Sequence, residues 1–119
     1  MRIVLVDDHE PIRRAVKQTL ERTAGCEVVG EAATGVEALE QVEQVVPDVV
    51  IMDTRMPVMG GAEATRRIKE SLPDVHVVAF TSTGDPAAVA PMLAAGASGY
   101  LLKGASSEQI TAVLKSLSG

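Results

Sequence analysis

Five residues of this 119-residue chain stand where their side chains could do chemistry together: Asp7, Asp8, Asp53, Thr81 and Lys103. Each lies one or two residues beyond a short apolar run: Ile3–Val6 before Asp7 and Asp8, Val49–Met52 before Asp53, Val77–Phe80 before Thr81, and Tyr100–Leu102 before Lys103. If the runs are strands of one parallel sheet, three carboxylates, a hydroxyl and an ammonium converge on its carboxyl edge. That set suits a hard divalent cation and a phosphoryl group rather than an apolar ligand. The carboxylates would repel one another without a cation, and a bound Mg²⁺ resolves the repulsion through oxygen ligands. One carboxylate can then act as a nucleophile toward phosphorus, giving an aspartyl phosphate, while Lys103 and the Thr81 hydroxyl meet the phosphoryl oxygens.

The elements that must position these groups alternate along the chain. β-like runs alternate with helical patterns, which indicates an α/β fold with a parallel sheet. After Ile3–Val6, the positions Ile12, Ala15, Val16, Thr19 and Leu20 keep a 3.6-residue period, with Pro11 suited to a first helical turn. A weaker strand is expected around Glu27–Ala32. Thr34 and Glu37 are spaced as a capping box, and Ala38, Leu39, Val42 and Val45 face inward until Pro47. A third helix is expected from about Gly61 to Leu72, burying Ile68 and Leu72, and a fourth strand over Val75–Phe80. The last strand is expected at about Gly99–Leu102. Its helix carries Ile110, Val113, Leu114 and Leu117 on one face, with Ser106 and Gln109 as capping box. The pattern is (βα)₅, a flavodoxin-like three-layer sandwich whose five parallel strands take the order 2-1-3-4-5. The strand order reverses between strands one and three, where ligands of such sheets bind. The fourth helix is the irregular one. Asp85 and Pro86 read as cap and first turn, yet Pro91 follows five residues later, so this helix is predicted to be kinked, frayed or to begin only near Pro91.

Composition narrows the function classes. The length fits one compact domain over residues 1–119, with no disulfide needed for folding. A formal charge of −5 argues against this domain gripping a nucleic-acid backbone. Cys26 is the sole cysteine; it fits a reducing compartment and reads as a strand-flanking residue rather than a metal ligand. No apolar stretch approaches the roughly 20 residues that span a bilayer, and no signal peptide is recognised, so a cytoplasmic protein without membrane contact is expected. A phosphatase acting on external substrates would want its nucleophile on the first strand and an inserted cap. A nucleotide or flavin module would want a glycine- or hydroxyl-rich phosphate loop where this chain has Asp7-Asp8-His9-Glu10.

Asp7-Asp8, the segment Asp53-Thr54-Arg55-Met56-Pro57 with Gly61, Thr81, and Gly99-Tyr100-Leu101-Leu102-Lys103 together resemble the receiver domain of two-component response regulators. The resemblance covers essentially the whole chain. It implies a phosphorylation-activated switch in which Asp53 accepts a phosphoryl group from the phosphohistidine of a sensor histidine kinase. It further implies Mg²⁺ held by Asp8, Asp53 and the backbone carbonyl of Arg55, with Asp7 acting through water. Thr81 and Lys103 correspond to the switch hydroxyl and the phosphate-binding lysine, and Tyr100 to an aromatic switch that turns inward. Arg55, Ser82 and Thr83 flank the place where phosphoryl lifetime is tuned. Such a domain is not an enzyme on other substrates; it catalyses only its own phosphorylation and dephosphorylation.

The segment from Gly99 to Lys103, followed by Gly104-Ala105-Ser106, is similar to receivers of the NarL/FixJ class with a LuxR-type helix-turn-helix output. Transcription control through DNA would then belong to an output domain absent from this chain, which stops at Gly119. The chain is accordingly expected to be a separated receiver or a stand-alone one acting by protein–protein contact. Homodimerisation would use the face of helix four, strand five and helix five. Two positions depart from the family pattern: Gly60 precedes Gly61 where a bulkier or acidic residue is common, and Ser82 follows the switch hydroxyl where alanine is common. Outside the motif, His9 reads as a surface-loop residue and His76 as an edge or exposed one. Arg13, Arg14, Lys17, Arg66, Arg67 and Lys69 read as solvated helix faces, and Met52, Met56, Met59 and Met92 as packing.

Overall fold

Parallel strands covered on both faces should be continuously apolar, and the most central strand here is buried at all five of its positions, Val49–Asp53. The computed structural model describes residues 1–56 and 58–118, so Pro57 and Gly119 lie outside the described residues. Strands and helices alternate as β1 (Arg2–Val6), α1 (Glu10–Glu21), β2 (Glu27–Ala32), α2 (Gly35–Val45), β3 (Val49–Asp53), α3 (Gly61–Ser71), β4 (His76–Thr81), α4 (Pro86–Ala94), β5 (Gly99–Leu102) and α5 (Ser107–Ser118). The sheet has the order β2-β1-β3-β4-β5 with every pairing parallel. This is the flavodoxin-like arrangement expected from the alternation.

Strand periodicity divides the core into two layers. Val4, Val6, Val50, Met52, Val77 and Ala79 face one side, where they meet Ala38 and Val42 of α2, Ala64 and Ile68 of α3, and Met92 of α4. Ile3, Leu5, Val49, Ile51, Val78 and Phe80 face the other, against Leu20 of α1 and Ile110 and Leu114 of α5. Alternate residues of one strand therefore serve opposite layers, as the two-residue period requires. Leu72 is half-buried beside the first layer, and Ala15 of α1 is exposed.

Caps set the helix starts. Thr34 Oγ1 accepts from the Glu37 amide at 3.1 Å, while Glu37 reaches back to the Ala33 amide at 3.2 Å. Ser106 and Gln109 close the reciprocal box at 3.2 and 2.9 Å. The late start near Pro91 is not what the fourth helix shows. It begins at Pro86, five residues before Pro91, and runs unbroken to Ala94. Asp85 caps it by accepting from the Ala87 amide at 2.9 Å, and Pro86 occupies the first turn, where no N–H is needed. Pro91 then removes one donor, whose acceptor would be the carbonyl of exposed Ala87, a group that water can satisfy. Strand four is also shifted by one residue. The Val75 amide closes a turn onto Leu72 O at 3.0 Å, and pairing with the neighbouring chain starts at His76, which bonds Asp48 O at 3.0 Å.

The start of α3 is fixed by steric fit. A β-carbon on Gly61 would run into the carbonyl oxygen of Asp53, so the helix can approach the end of β3 only with glycine there. Gly60, the N-cap, has open space around its missing β-carbon and an ordinary φ of −72°. The bulkier residue common before Gly61 would thus be accommodated, and Gly60 is a free choice rather than a requirement. Gly61→Ala is expected to cost about 3 kcal/mol in chemical denaturation, because the obstacle is backbone. Gly60→Ser should change stability by less than about 0.5 kcal/mol, in the stabilising direction, by supplying the missing cap. Equal losses from both substitutions would contradict this account of the α3 start.

Candidate functional site

The carboxyl edge of the sheet holds its polar groups by continuing the ladder one residue past each strand. The Asp7 amide bonds Ala32 O of β2 at 3.1 Å, the Thr54 amide bonds Phe80 O of β4 at 3.2 Å, and the Lys103 amide bonds Thr81 O at 2.7 Å. Asp53 itself is the last residue of β3, in register with Phe80. Backbone pairing therefore fixes where each side chain starts, and only rotamers remain to be chosen.

Asp7, Asp8 and Asp53 each place a carboxylate oxygen within 4.8 Å of the others. Asp7 and Asp53 are both only 2 % exposed, whereas Asp8 is exposed at the rim. Lys103 reaches in over the Phe80 ring, 5.5 Å from its centroid, and sets Nζ 3.0 Å from Asp7 Oδ2 and 3.1 Å from Asp53 Oδ1. Asp53 Oδ1 also accepts from the Arg55 amide at 3.1 Å. Asp53 Oδ2 is buried with no hydrogen-bond partner among the described residues, and Asp7 Oδ2 meets Lys103 at ion-pair distance without hydrogen-bond geometry. An orphaned buried carboxylate oxygen beside two further carboxylates is a donor set of hard oxygens, and it fits Mg²⁺.

The other sequence candidates stand around this centre. The Thr81 hydroxyl is buried but turned aside: it donates to Thr83 O at 3.0 Å and accepts from the Thr83 amide at 3.3 Å. Thr83 Oγ1 in turn accepts from the Asp85 amide at 3.1 Å, tying the β4–α4 loop to the cap of α4. Ser82, Thr83 and Arg55 are exposed. A cleft of about 260 Å³ lies between the β3–α3 and β4–α4 loops, lined by Thr54, Arg55, Thr83, Asp85 and Pro91 among others. Tyr100 is 44 % exposed, pointing outward on β5. Asp7 and Asp8 are not the cap of α1: His9 is, without a side-chain cap bond, while its amide donates to Asp7 Oδ1 at 2.8 Å.

Three basic residues read as solvated faces are not, and one of them, Lys17, is half-buried and donates to Glu31 Oε2 at 2.9 Å. Arg13 donates to the backbone carbonyl of Asp7 at 2.6 Å and to Glu31 at 3.1 Å. Lys69 caps the turn after α3 by donating to Pro73 O at 2.6 Å and Val75 O at 2.9 Å. The available signal for Arg13 was its place on the helical wheel, three residues from Val16 and seven from Leu20, at the border of the apolar face. Arg14, Arg66 and Arg67 do lie on exposed faces, paired with Glu10, Glu63 and Glu70. His9 is exposed, and His76 is half-buried with Nδ1 3.1 Å from Ser98 Oγ.

The model of the response regulator receiver domain family matches residues 3–115. Response regulator GacA of Pseudomonas viridiflava is 43 % identical over 105 residues, covering 88 % of this chain and 49 % of that protein. The signal receiver domain of NarL from Mycobacterium tuberculosis superposes with a TM-score of 0.91 at 36 % identity, covering 99 % of this chain and 96 % of that one. A LuxR-family two-component response regulator from Aurantimonas sp. SI85-9A1 gives 0.90 at 38 % identity, over 99 % and 85 % of the two chains. The chain spans about half the length of the curated relatives it matches.

The electrostatics of the centre follow from burial. Loss of water raises the pKa of Asp53 most; the Arg55 amide opposes this, Asp7 adds to it by repulsion, and Lys103 opposes it. Lys103 is drawn down by its own burial, but its close approach to the Asp7 and Asp53 carboxylates leaves its pKa raised. A carboxyl whose folded pKa is raised costs stability where it is ionised, and the cost disappears as pH falls through that pKa. The Lys103 contribution is constant over this window, being lost only at pH above the ordinary ammonium range. Without divalent cations, Asp53→Asn should therefore stabilise the fold at pH 7 by about 1 kcal/mol, with the gain shrinking toward acid pH. Thermal unfolding from pH 7 to pH 4 reads this directly, and a loss of stability at neutral pH would contradict it.

Proposed function

This chain belongs to the response regulator receiver domain family, and from that membership we propose that it is a phosphorylation-controlled switch of a two-component system, with Asp53 as phosphoacceptor. The observation that carries the assignment is the Asp53 carboxylate itself: buried, gathered with Asp7 and Asp8, anchored by Lys103 through Oδ1 and unpartnered at Oδ2. An oxygen already held by an amide and an ammonium is oriented, and the one left without a partner is free to form a new bond.

In the proposed reaction, an Asp53 carboxylate oxygen attacks the phosphorus of a kinase phosphohistidine. The P–N bond breaks, and the departing imidazole keeps its electron pair and takes a proton from solvent. Asp8, Asp53 and the Arg55 carbonyl would hold Mg²⁺, with Asp7 contributing through water; bound there, the ion offsets negative charge on the carboxylates and phosphoryl oxygens. Lys103, already 3.1 Å from Asp53 Oδ1, would follow the new phosphoryl oxygens as their cationic partner. The chain would catalyse only this transfer to itself and the later hydrolysis.

Readout begins at Thr81. Its hydroxyl is satisfied by Thr83 in this structure, so turning it to a phosphoryl oxygen exchanges one hydrogen bond for another and releases the β4–α4 loop. Tyr100 would then turn inward from its exposed position. Leu93, Tyr100 and Leu102 are large exposed apolar groups on α4 and β5, and they support this face as the surface for homodimerisation or for an output domain. The phosphoryl group must stabilise the altered face more than the present one, since a ligand shifts a population only by differential affinity. The half-length match to the curated relatives and the likeness to a LuxR-family regulator support transcriptional output through a helix-turn-helix domain outside this chain. A sensor kinase partner and cytoplasmic action accompany that reading. Among the described residues no helix is long and apolar enough to cross a membrane.

Incubation with acetyl phosphate and Mg²⁺, followed by intact-mass measurement, tests the assignment. The wild-type chain should gain one phosphoryl group and Asp53→Asn none. Equal labelling of both would overturn Asp53 as the acceptor.

A further inference from the structure

Arg13 does not behave as a surface arginine. Its side chain is only 18 % exposed, and its guanidinium bridges two strands from α1. Nη1 donates to the Asp7 carbonyl oxygen at 2.6 Å, and Nε donates to Glu31 Oε1 on β2 at 3.1 Å. Lys17, one turn further along α1, donates to the other Glu31 oxygen at 2.9 Å, so Glu31 is braced from two sides. Glu31 has a lowered pKa: its burial acts the other way, but the hydrogen bonds from Lys17 and Arg13 outweigh it.

The bond to Asp7 is made to the peptide rather than the carboxylate. The Asp7 carboxylate is already taken, with Oδ1 on the His9 amide and Oδ2 beside Lys103. What the guanidinium holds is the carbonyl of the peptide joining Asp7 to Asp8. Among the described residues, no hydrogen bond or ion pair holds the Asp8 carboxylate itself. Its direction depends on the backbone that carries it, and that backbone is held by Arg13.

We propose that Arg13 is a positioning residue for the acid pair: its guanidinium, braced on Glu31, fixes the Asp7–Asp8 peptide so that Asp8 is presented to a divalent cation beside Asp53. The role needs arginine, because two acceptors in different directions are met at once by a rigid planar fork; a lysine ammonium carries the same charge without that geometry. Charge balance within the cluster is already supplied by Lys103, which leaves geometry as the distinct contribution of Arg13. This proposal rests on reading the acidic cluster as a cation site.

The test is Mg²⁺ titration of the wild-type, Arg13→Met and Arg13→Lys chains, followed by the backbone amide shifts of Asp8 and Thr54 in NMR spectra. Thermal unfolding is measured on the same samples. Arg13→Met should weaken Mg²⁺ binding about ten-fold, the scale on which outer partners of metal ligands act, and Arg13→Lys should recover only a minor part of that loss. A wild-type dissociation constant in Arg13→Met, even with a lowered Tm, would reduce Arg13 to a purely structural brace and overturn the proposal. Full recovery by Arg13→Lys would overturn it as well, by placing the effect in charge. Should Arg13→Met fail to fold, the Arg13→Lys chain decides alone, its weakened binding supporting the proposal and wild-type binding overturning it. A wild-type chain whose amides do not respond to Mg²⁺ would instead sink the cation-site reading, an outcome separate from the variants' behaviour.

Discussion

Two carboxylates buried side by side at one end of a sheet would drive that end apart, and the ammonium of Lys103 set between them is what makes the arrangement tolerable. Its Nζ lies 3.0 Å from Asp7 and 3.1 Å from Asp53, while both acids are almost wholly withdrawn from water. Much of the architecture can be understood as the means of delivering that one cation. β5 must pair with β4 so that Lys103 emerges beside Thr81, with its Nζ over the Phe80 ring. The strand order, with β1 and β3 adjacent, brings Asp7 and Asp53 to the same spot from segments far apart in sequence. Even so, the cation does not cancel the burial. Asp53 remains harder to ionise than a free aspartate, so the site retains a demand for more positive charge or a new bond.

The strands and the gathering of polar groups at their ends were legible in the sequence for one physical reason. A doubly covered parallel strand must be apolar throughout, so a polar residue at its end is conspicuous, as at the ends of β1, β3 and β4; the edge strand β5 shows the same signal through its apolar run before Lys103. The capping boxes of α2 and α5 were legible because they depend on residues three apart in the chain. What the sequence concealed were choices made by tertiary packing. Nothing local says that Tyr100 points outward or that Arg13 folds inward. The start of α4 was misjudged because the weight given to Pro91 exceeded its effect. In a nine-residue helix with a good cap, one missing donor facing an exposed carbonyl removes little.

Two loops on the same helix layer support the site unequally. On one side α3 comes so close to β3 that Gly61 has no room for a β-carbon against the Asp53 carbonyl, and the first residue of α2, Gly35, sits with its missing β-carbon 2.9 Å from Met59 of the same loop. Thr54 and Met59 are therefore each packed against a helix start. On the other side of the edge, the β4–α4 loop is held by a relay of short-range bonds from Thr81 to Thr83 to Asp85. Packing of the first kind resists change in any direction. Hydrogen bonds of the second kind can be exchanged for others of similar worth, which makes the β4–α4 side the cheaper one to remodel.

The same contrast runs through the acid pair. Asp7 is held at its amide by Ala32, at its carbonyl by Arg13 and at its carboxylate by His9 and Lys103. Asp8, one residue on, is exposed with a carboxylate that nothing among the described residues restrains. Adjacent residues of the same type thus receive opposite treatments, and the difference is in their partners rather than their chemistry. A fixed acid preserves the geometry of Asp53 and Lys103 whatever binds, because moving it would break several bonds at once. A free acid can close on an incoming cation and release it again without disturbing the sheet. In the proposed role, loading and unloading a cation needs both, and here one side chain of the pair is buried while the other, at the bend beyond β1, stands in water.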